Sequence, residues 1–247
     1  MKSETLVLNK NESWKIFDEI APRYDLLNDM LSLGMHMSWK RLLKSFFKKR
    51  QNQQVLDIAT GTADCLLASV CQNPNISQAF GIDLSQKMLE EGKIKVKKRE
   101  CAHKITLSLG DANHLPFNSN KFDQTMIAFG IRNLQDPLIA LKEMYRVLKP
   151  DGRSLILEFS LPKNPGLKFL YLIYLRNFVP LIGLIFSGQF EAYKYLNKTI
   201  ETFPYGENFC RLMKEAGFDN IHATMLCFGV ATIYQGDKYF TLKESKA

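Results

Sequence analysis

Between Gln54 and Asp64 the chain reads Q-V-L-D-I-A-T-G-T-A-D. Val55 to Ala59 is an apolar run of β type interrupted only by Asp57, the pattern of a strand covered on both faces. The run breaks at Thr60-Gly61-Thr62 and reopens as a helical pattern from Ala63 to Val70. A buried parallel strand that passes through a glycine turn into a helix makes the floor of a nucleotide-type pocket. Gly61 has no Cβ, so it tolerates φ > 0 and lets the backbone approach a ligand closely.

A pyrophosphate-binding loop wants G-x-G-x-x-G, so that phosphate can sit on the helix N-terminus. Only Gly61 is present here, and Ala59 and Asp64 stand where further glycines would serve. A carboxylate at the helix start repels phosphate and attracts a cation such as an amino group or a sulfonium. That disfavours a dinucleotide and favours S-adenosylmethionine. On these residues alone an ordinary strand-turn-helix junction stays open as an alternative.

Outward from this stretch the pattern alternates. Strands are predicted at Val55–Ala59, Gln78–Ile82, Ile105–Leu109, Phe122–Ala128 and Ser154–Phe159. Helices are predicted at Ala63–Cys71, at Ser85–Lys98 with Ser85 as N-cap, and at Pro137–Leu148, ending in the turn Lys149-Pro150-Asp151-Gly152. A helix over Gly206–Ala216 stops at Gly217, and Phe218–Leu226 and Gly229–Tyr234 read as a closing hairpin. Repeated β-α-β units with right-handed crossovers predict an α/β fold with a doubly wound, mostly parallel, seven-stranded sheet. Residues 11–50 read as helical, with Pro22 interrupting and a turn at Leu33-Gly34, and are placed as a lid ahead of the first strand. The chain therefore reads as one domain over 1–247: lid 11–50, cofactor core 54–160, apolar insert 161–205, and C-terminal helix and hairpin 206–236.

The 247 residues, 46% hydrophobic and 23% charged, are of globular composition. The net charge of +8 allows anionic surfaces such as nucleic acid or lipid, although Lys40–Arg50 and Lys93–Lys104 lack the interleaved aromatics of a base-stacking platform. The five cysteines are odd in number and contain no C-x-x-C, so neither a disulfide framework nor a zinc site is expected, no metal is assigned, and a reducing cytoplasm is the simpler setting. Met1 to Lys10 lacks the apolar run of a signal peptide. Leu167 to Phe186 is long enough to span a membrane but carries Lys168, Arg176, Asn177, Pro180 and Gly183. Mid-bilayer charge is expensive. The segment reads instead as an apolar cover over the site that touches the membrane interface, or as a buried helix pair.

In open α/β sheets ligands bind at the carboxyl ends of the strands. Those ends carry Asp57, Gly61 and Thr62, then Asp83, then Asp111 and Ala112, then Phe129 and Gly130 with Arg132 and Asn133. A carboxylate at Asp83 accepts both ribose hydroxyls of a nucleoside. Asp111 suits the adenine amino group, and Ala112 leaves room for its ring. Singly each aspartate is more often a turn or capping residue; their placement at successive strand ends points to a nucleoside site.

With these residues in place the chain resembles the C-methyltransferase family of ubiquinone and menaquinone biosynthesis. The resemblance rests on Y-D-L-L-N-D-M-L-S-L-G-M-H-M-S-W (Tyr24 to Trp39), R-V-L-K-P-D-G-R-S-L-I-L-E-F-S (Arg146 to Ser160), F-G-I-R-N (Phe129 to Asn133) and Y-K-Y-L-N-K-T-I-E-T-F-P (Tyr193 to Pro204). It runs from about Trp14 to Gly236. Departures are Leu27 for a usual methionine, Asp151 and Ala63 for glycines, Asp111 for Asn, and Ala128 for Ser. The resemblance implies a Rossmann-like class I fold, S-adenosylmethionine as cofactor held by Thr62, Asp83, Asp111 and Ala112 with Gly61, and a polyprenylated quinol methylated on a ring carbon.

A hydroquinone carbon becomes strongly nucleophilic only when a hydroxyl ionises, and a phenol has a pKa near ~10. A base, or a fixed cation beside the phenolate, therefore speeds the step. Arg132 is the candidate cation and Asn133 the candidate group for orienting a water or quinol oxygen; His36, Tyr24 and Asp25 on the lid are candidate proton acceptors. The alternatives are an Arg132 ion pair with a helix carboxylate and a packing role for His36. Phe159, Tyr171, Tyr174 and Phe178 either line a prenyl channel or are core. Another small apolar acceptor and a basic RNA-binding role remain open, though the apolar insert favours an apolar ligand over nucleic acid. A homo-oligomer also stays open.

Overall fold

A computed structural model of the protein describes residues 34–181 and 197–239, together with Lys15, Asp18, Ala21, Asn28, Asp29 and Ser32. Its centre is one seven-stranded sheet in the order β3-β2-β1-β4-β5-β7-β6. The strands are β1 Gln53–Ile58, β2 Ile76–Asp83, β3 Ile105–Leu109, β4 Phe122–Ala128, β5 Leu148–Phe159, β6 Asp219–Leu226 and β7 Ala231–Asp237. Strands β1 to β5 pair parallel, and β7 joins antiparallel to both β5 and β6. The order reverses after β3, which puts the switch point at β1 and β4.

Strand residues alternate between two cores. Val55, Met126, Leu155, Leu157, Phe159 and Ile233 point to one face, where they meet Trp39, Leu66 and Val70. Leu56, Ile127, Ile156 and Tyr234 point to the other, where they meet Ala140, Met144, Phe209 and Met213. Both faces are covered, which is why the β1 run is apolar throughout. The covering helices are α1 His36–Leu43, α2 Asp64–Val70, α3 Gln86–Lys97, α4 Pro137–Val147, α5 Pro165–Ile173 and α6 Glu207–Glu215. Ser85 caps α3 by accepting the Met88 N–H at 3.2 Å. Asp136 caps α4 by accepting from Leu138 and Ile139. Gly217, at φ +104°, ends the α6 turn.

The sequence and the structure part at three places. Lys149–Gly152 lies inside β5 rather than before it: Phe122 pairs with Leu148 and Gln124 with Arg153, so the expected turn is a bulge carried by the strand. Asp151 there takes φ +61° and is held by Lys48 and Arg50. Helix α2 starts at Asp64, because Ala63 adopts the left-handed conformation, φ +63°. Cys71 and Cys101 form a disulfide with their Cα atoms 5.0 Å apart, against the expectation of none. One lies just past α2 and the other in the 3₁₀ turn before β3, a proximity set by the fold and invisible in the cysteine spacing. Among the described residues no helix is long and apolar enough to cross a membrane.

Candidate active site

The loop after β1 is the floor of the site. Ala59, Gly61 and Ala63 all have positive φ, at +50°, +56° and +63°, so every second residue is left-handed. Only one of them is glycine; the two alanines adopt a conformation that L-residues disfavour by roughly 1–2 kcal/mol. Backbone strain of this kind gathers at ligand sites. Across the loop Phe129 repeats it at the end of β4, with φ +58°.

Asp83 closes the loop from β2. Its Oδ2 accepts the Gly61 N–H at 2.8 Å and its Oδ1 accepts the Ser85 N–H at 2.9 Å. Each carboxylate oxygen has a second acceptor position. Burial raises the Asp83 pKa, and the N–H groups of Ser85, Gly61 and Leu84 oppose the rise. Asp18 accepts from the Ser85 hydroxyl and, at 3.4 Å, from the Lys87 N–H, so this residue reaches the edge of the site. Asp111, beyond the end of β3, accepts the Asn113 N–H at 2.9 Å, and Ala112 beside it is buried.

Under the loop lie more acids. Asp57 is 1% exposed, takes a 2.7 Å hydrogen bond from Thr60 Oγ1, and keeps Oδ1 without a partner. Burial pushes its pKa up to about 7, with Lys40 opposing. Asp64 does attract cations, but the chain itself supplies two: Lys95 Nζ lies 2.8 Å from Oδ1 and Lys40 Nζ 3.6 Å from Oδ2. Lys95 also donates to Thr62 Oγ1 at 2.9 Å. Contrary to the expectation from sequence, Asp64 therefore pairs with the protein's own cations rather than awaiting a cationic ligand. Asp64 fastens α1 and α3 to the loop.

On the other side of the switch point the 3₁₀ turn Ile131–Asn133 follows Phe129 and Gly130. Arg132 is 3% exposed and its Nη1 donates to Glu158 Oε1 at 2.7 Å and to the Phe129 carbonyl at 2.6 Å. The partner carboxylate belongs to strand β5, not to a helix as the ion-pair alternative had it. Glu158 is 1% exposed; burial raises its pKa while Arg132 and the Phe159 and Arg132 N–H groups pull it down. Arg132 Nε has no partner. Asn133 Nδ2 donates to the Phe129 carbonyl at 3.4 Å. A cavity of about 250 Å³ opens at Arg132 between Asp136, Leu138, Thr199, Phe203 and Leu212.

The motifs singled out separately in the sequence converge here. Trp39 from α1 packs on Phe129 at 6.2 Å and on Phe159 at 6.3 Å, and the last two lie 4.5 Å apart. The Arg132 guanidinium sits over the Phe159 ring at 5.2 Å. His36, at the head of α1, is 2% exposed and its Nδ1 faces Asp29 Oδ1 at 3.2 Å and Ser32 Oγ at 3.3 Å. Tyr24 and Asp25 lie outside the described residues. Sequence reasoning missed Glu158, Lys40, Lys95 and Asp18. For Glu158 a signal existed: it is the one charge inside the apolar run Leu155–Phe159.

The sheet order, the switch point and the acid at the end of β2 define a class I S-adenosylmethionine-dependent methyltransferase fold. A solved S-adenosylmethionine-dependent methyltransferase from Methanococcus maripaludis superposes with a TM-score of 0.61 at 17% identity, over 98% of this chain and 98% of that one. The chain belongs to the ubiE/COQ5 methyltransferase family, whose model matches residues 5–238. It is 44% identical to the ubiquinone/menaquinone biosynthesis C-methyltransferase UbiE of Geotalea daltonii, over 91% of this chain and 95% of that protein. It is 39% identical to a demethylmenaquinone methyltransferase of Bacteroides fragilis, over 91% of each. The protein is thus an S-adenosylmethionine-dependent C-methyltransferase of quinone biosynthesis. The site fits that cofactor: Asp83 keeps acceptor positions for a diol, and the loop presents no glycine-rich phosphate cradle.

Proposed function

We propose that the acceptor is a polyprenylated demethylmenaquinol, or the equivalent ubiquinone precursor, and that its ring carbon is methylated beside Arg132. The observation that carries this reading is the aromatic cluster of Trp39, Phe129 and Phe159 with one fixed polar edge, the Arg132–Glu158 pair. An apolar ring bearing hydroxyls matches the chemistry of that buried cluster and its polar edge.

S-adenosylmethionine supplies the methyl group on a sulfonium that is already a good leaving group. Asp83 holds the ribose hydroxyls, Asp111 and Ala112 the adenine, and Gly61 and Thr62 shape the loop beneath. Arg132 then faces the hydroxyl that ionises. Because Glu158 balances its charge, Arg132 acts through directed N–H donors and the dipole of the pair rather than through a net positive field. Asn133 orients the second oxygen or a water. His36 serves as proton acceptor through Nε2, with Asp29 fixing the ring from the Nδ1 side. A lid role for the segment 11–50 is supported by its described residues Asp18, Trp39 and Lys40, which reach Ser85, Phe129 and Asp64. The outer face of α5 and of the helical residues that continue it, with Phe169, Leu170, Phe178 and Leu181 more than half exposed, rests on the membrane that holds the substrate tail.

The test is methyl transfer by purified protein to a short-chain demethylmenaquinol. Transfer to the reduced ring and none to the oxidised quinone supports the phenolate argument. Equal transfer to both forms removes it, and salt-sensitive RNA binding without methyl transfer favours the basic-surface alternative.

A further inference from the structure

Helix α5 brings a phenol to the buried pair. Tyr171 is 8% exposed and its hydroxyl has no hydrogen-bond partner. Leaving a buried hydroxyl unpaired costs about 1–3 kcal/mol, so a fold that keeps one calls for an explanation. A second unsatisfied donor, Arg132 Nε, belongs to the same region. Tyr171 and Phe159 are part of one buried cluster, and the Arg132 guanidinium lies over that same Phe159 ring. The Tyr171 phenol is within electrostatic reach of both Arg132 and Glu158. Burial pushes its pKa well above the ordinary tyrosine range, so it stays protonated and acts as a hydrogen-bond donor.

The helix changes form at this place. Tyr174–Phe178 is a π-helical stretch of five residues, a rare conformation that marks functional sites in helices. Tyr171 stacks on Tyr174 at 6.4 Å and 19°, and Tyr174 stacks on Phe178 at 6.4 Å and 19°. The ladder starts at a buried ring, passes a half-buried one and ends at Phe178, which is 53% exposed.

We infer that Tyr171 contacts the substrate: its hydroxyl donates a hydrogen bond to an oxygen of the quinol ring held against Arg132, and the Tyr174–Phe178 stack leads the apolar tail outward. This rests on the proposed quinol acceptor. Tyr171 keeps its proton throughout and does not act as the base. Its bond strengthens as the oxygen it faces gains negative charge, so it contributes to kcat more than to KM.

Tyr171→Phe tests this, because it removes one oxygen and keeps the ring. In the free protein the change relieves an unpaired hydroxyl, so Tm is unchanged or higher. The Kd of S-adenosylhomocysteine is unchanged. Turnover of short-chain demethylmenaquinol falls by about 10- to 100-fold, mostly in kcat. Wild-type turnover in the variant overturns the inference while leaving the quinol reading intact. Loss of both thermal stability and S-adenosylhomocysteine affinity overturns it too, since Tyr171 is then structural. If the wild-type protein itself fails to methylate the quinol, the proposed acceptor falls first.

Discussion

Removing either half of the Arg132–Glu158 pair tests structure and chemistry together. Arg132 is 3% exposed and Glu158 1%, and their 2.7 Å contact is supplemented by the Phe129 carbonyl and the Phe159 N–H. Deleting one member of a buried pair leaves an uncompensated charge, at a cost of about 3–5 kcal/mol. For a chain of this size each kcal/mol moves Tm by about 2–4 °C, so Arg132→Met or Glu158→Leu alone lowers Tm by about 6–20 °C. Replacing both at once is roughly neutral or stabilising, because the desolvation of both charges disappears with their attraction. The two single variants differ in pH dependence. In Arg132→Met the remaining Glu158 has a pKa raised above its unfolded value, so it takes up a proton as pH falls and stability recovers toward acid. In Glu158→Leu the remaining guanidinium cannot shed its proton, and the loss is flat with pH. The assay is thermal and urea unfolding of the four proteins between pH 5 and pH 8, with turnover measured alongside. The account predicts that Arg132→Met/Glu158→Leu folds like the wild type, binds S-adenosylhomocysteine, and does not methylate quinol. A double variant as unstable as the singles refutes the energetics; one that is stable and fully active refutes the role given to Arg132.

Other expectations follow from particular residues. Asp57, with its pKa pushed up to about 7, binds a proton in the folded state that the unfolded chain releases nearer pH ~4. Stability therefore declines as pH rises through that window, by on the order of 4 kcal/mol at most, and Asp57→Asn removes the slope; urea unfolding at pH 5 and pH 8 that shows the same slope in both proteins contradicts this. Ala63→Gly relieves a left-handed alanine where relatives are expected to carry glycine, and raises stability by up to about 1 kcal/mol; an equal loss would show that the Cβ packing matters more than the strain. Replacing Phe169 and Leu170, 64% and 62% exposed, with Asp leaves Tm within a few degrees and abolishes co-sedimentation with anionic vesicles; retained co-sedimentation places the membrane contact elsewhere.

Most of the sheet was legible because its signals are local. An apolar run bounded by a turn, a Ser85 cap three residues before the N–H it accepts, and Gly217 past the last helical turn each lie within one short window. The positions of Asp83 and Asp111 were legible too, since they fall at or just past the ends of parallel strands. What was not legible depends on long-range contact. Glu158 is 26 residues from Arg132, and Lys95 is 31 residues from Asp64. Glu158 by itself stands out as the one charge in the run Leu155–Phe159, but no local pattern joins the partners. The same holds for Cys71 and Cys101, and for Asp18, which reaches Ser85 from 67 residues away. Left-handed Ala63 and Phe129 were missed for another reason: composition favours glycine at such φ values, and the surrounding packing overrides that preference.

The central claim is that the strand ends around Gly61, Asp83 and Asp111 hold the methyl donor. Calorimetric titration of S-adenosylhomocysteine into the wild type and into Asp83→Asn tests it most directly. The account predicts saturable one-site binding by the wild type and affinity weaker by about 10- to 100-fold in the variant, as charge-assisted hydrogen bonds to the ribose are lost. No binding at millimolar ligand, or equal binding by both proteins, would contradict it.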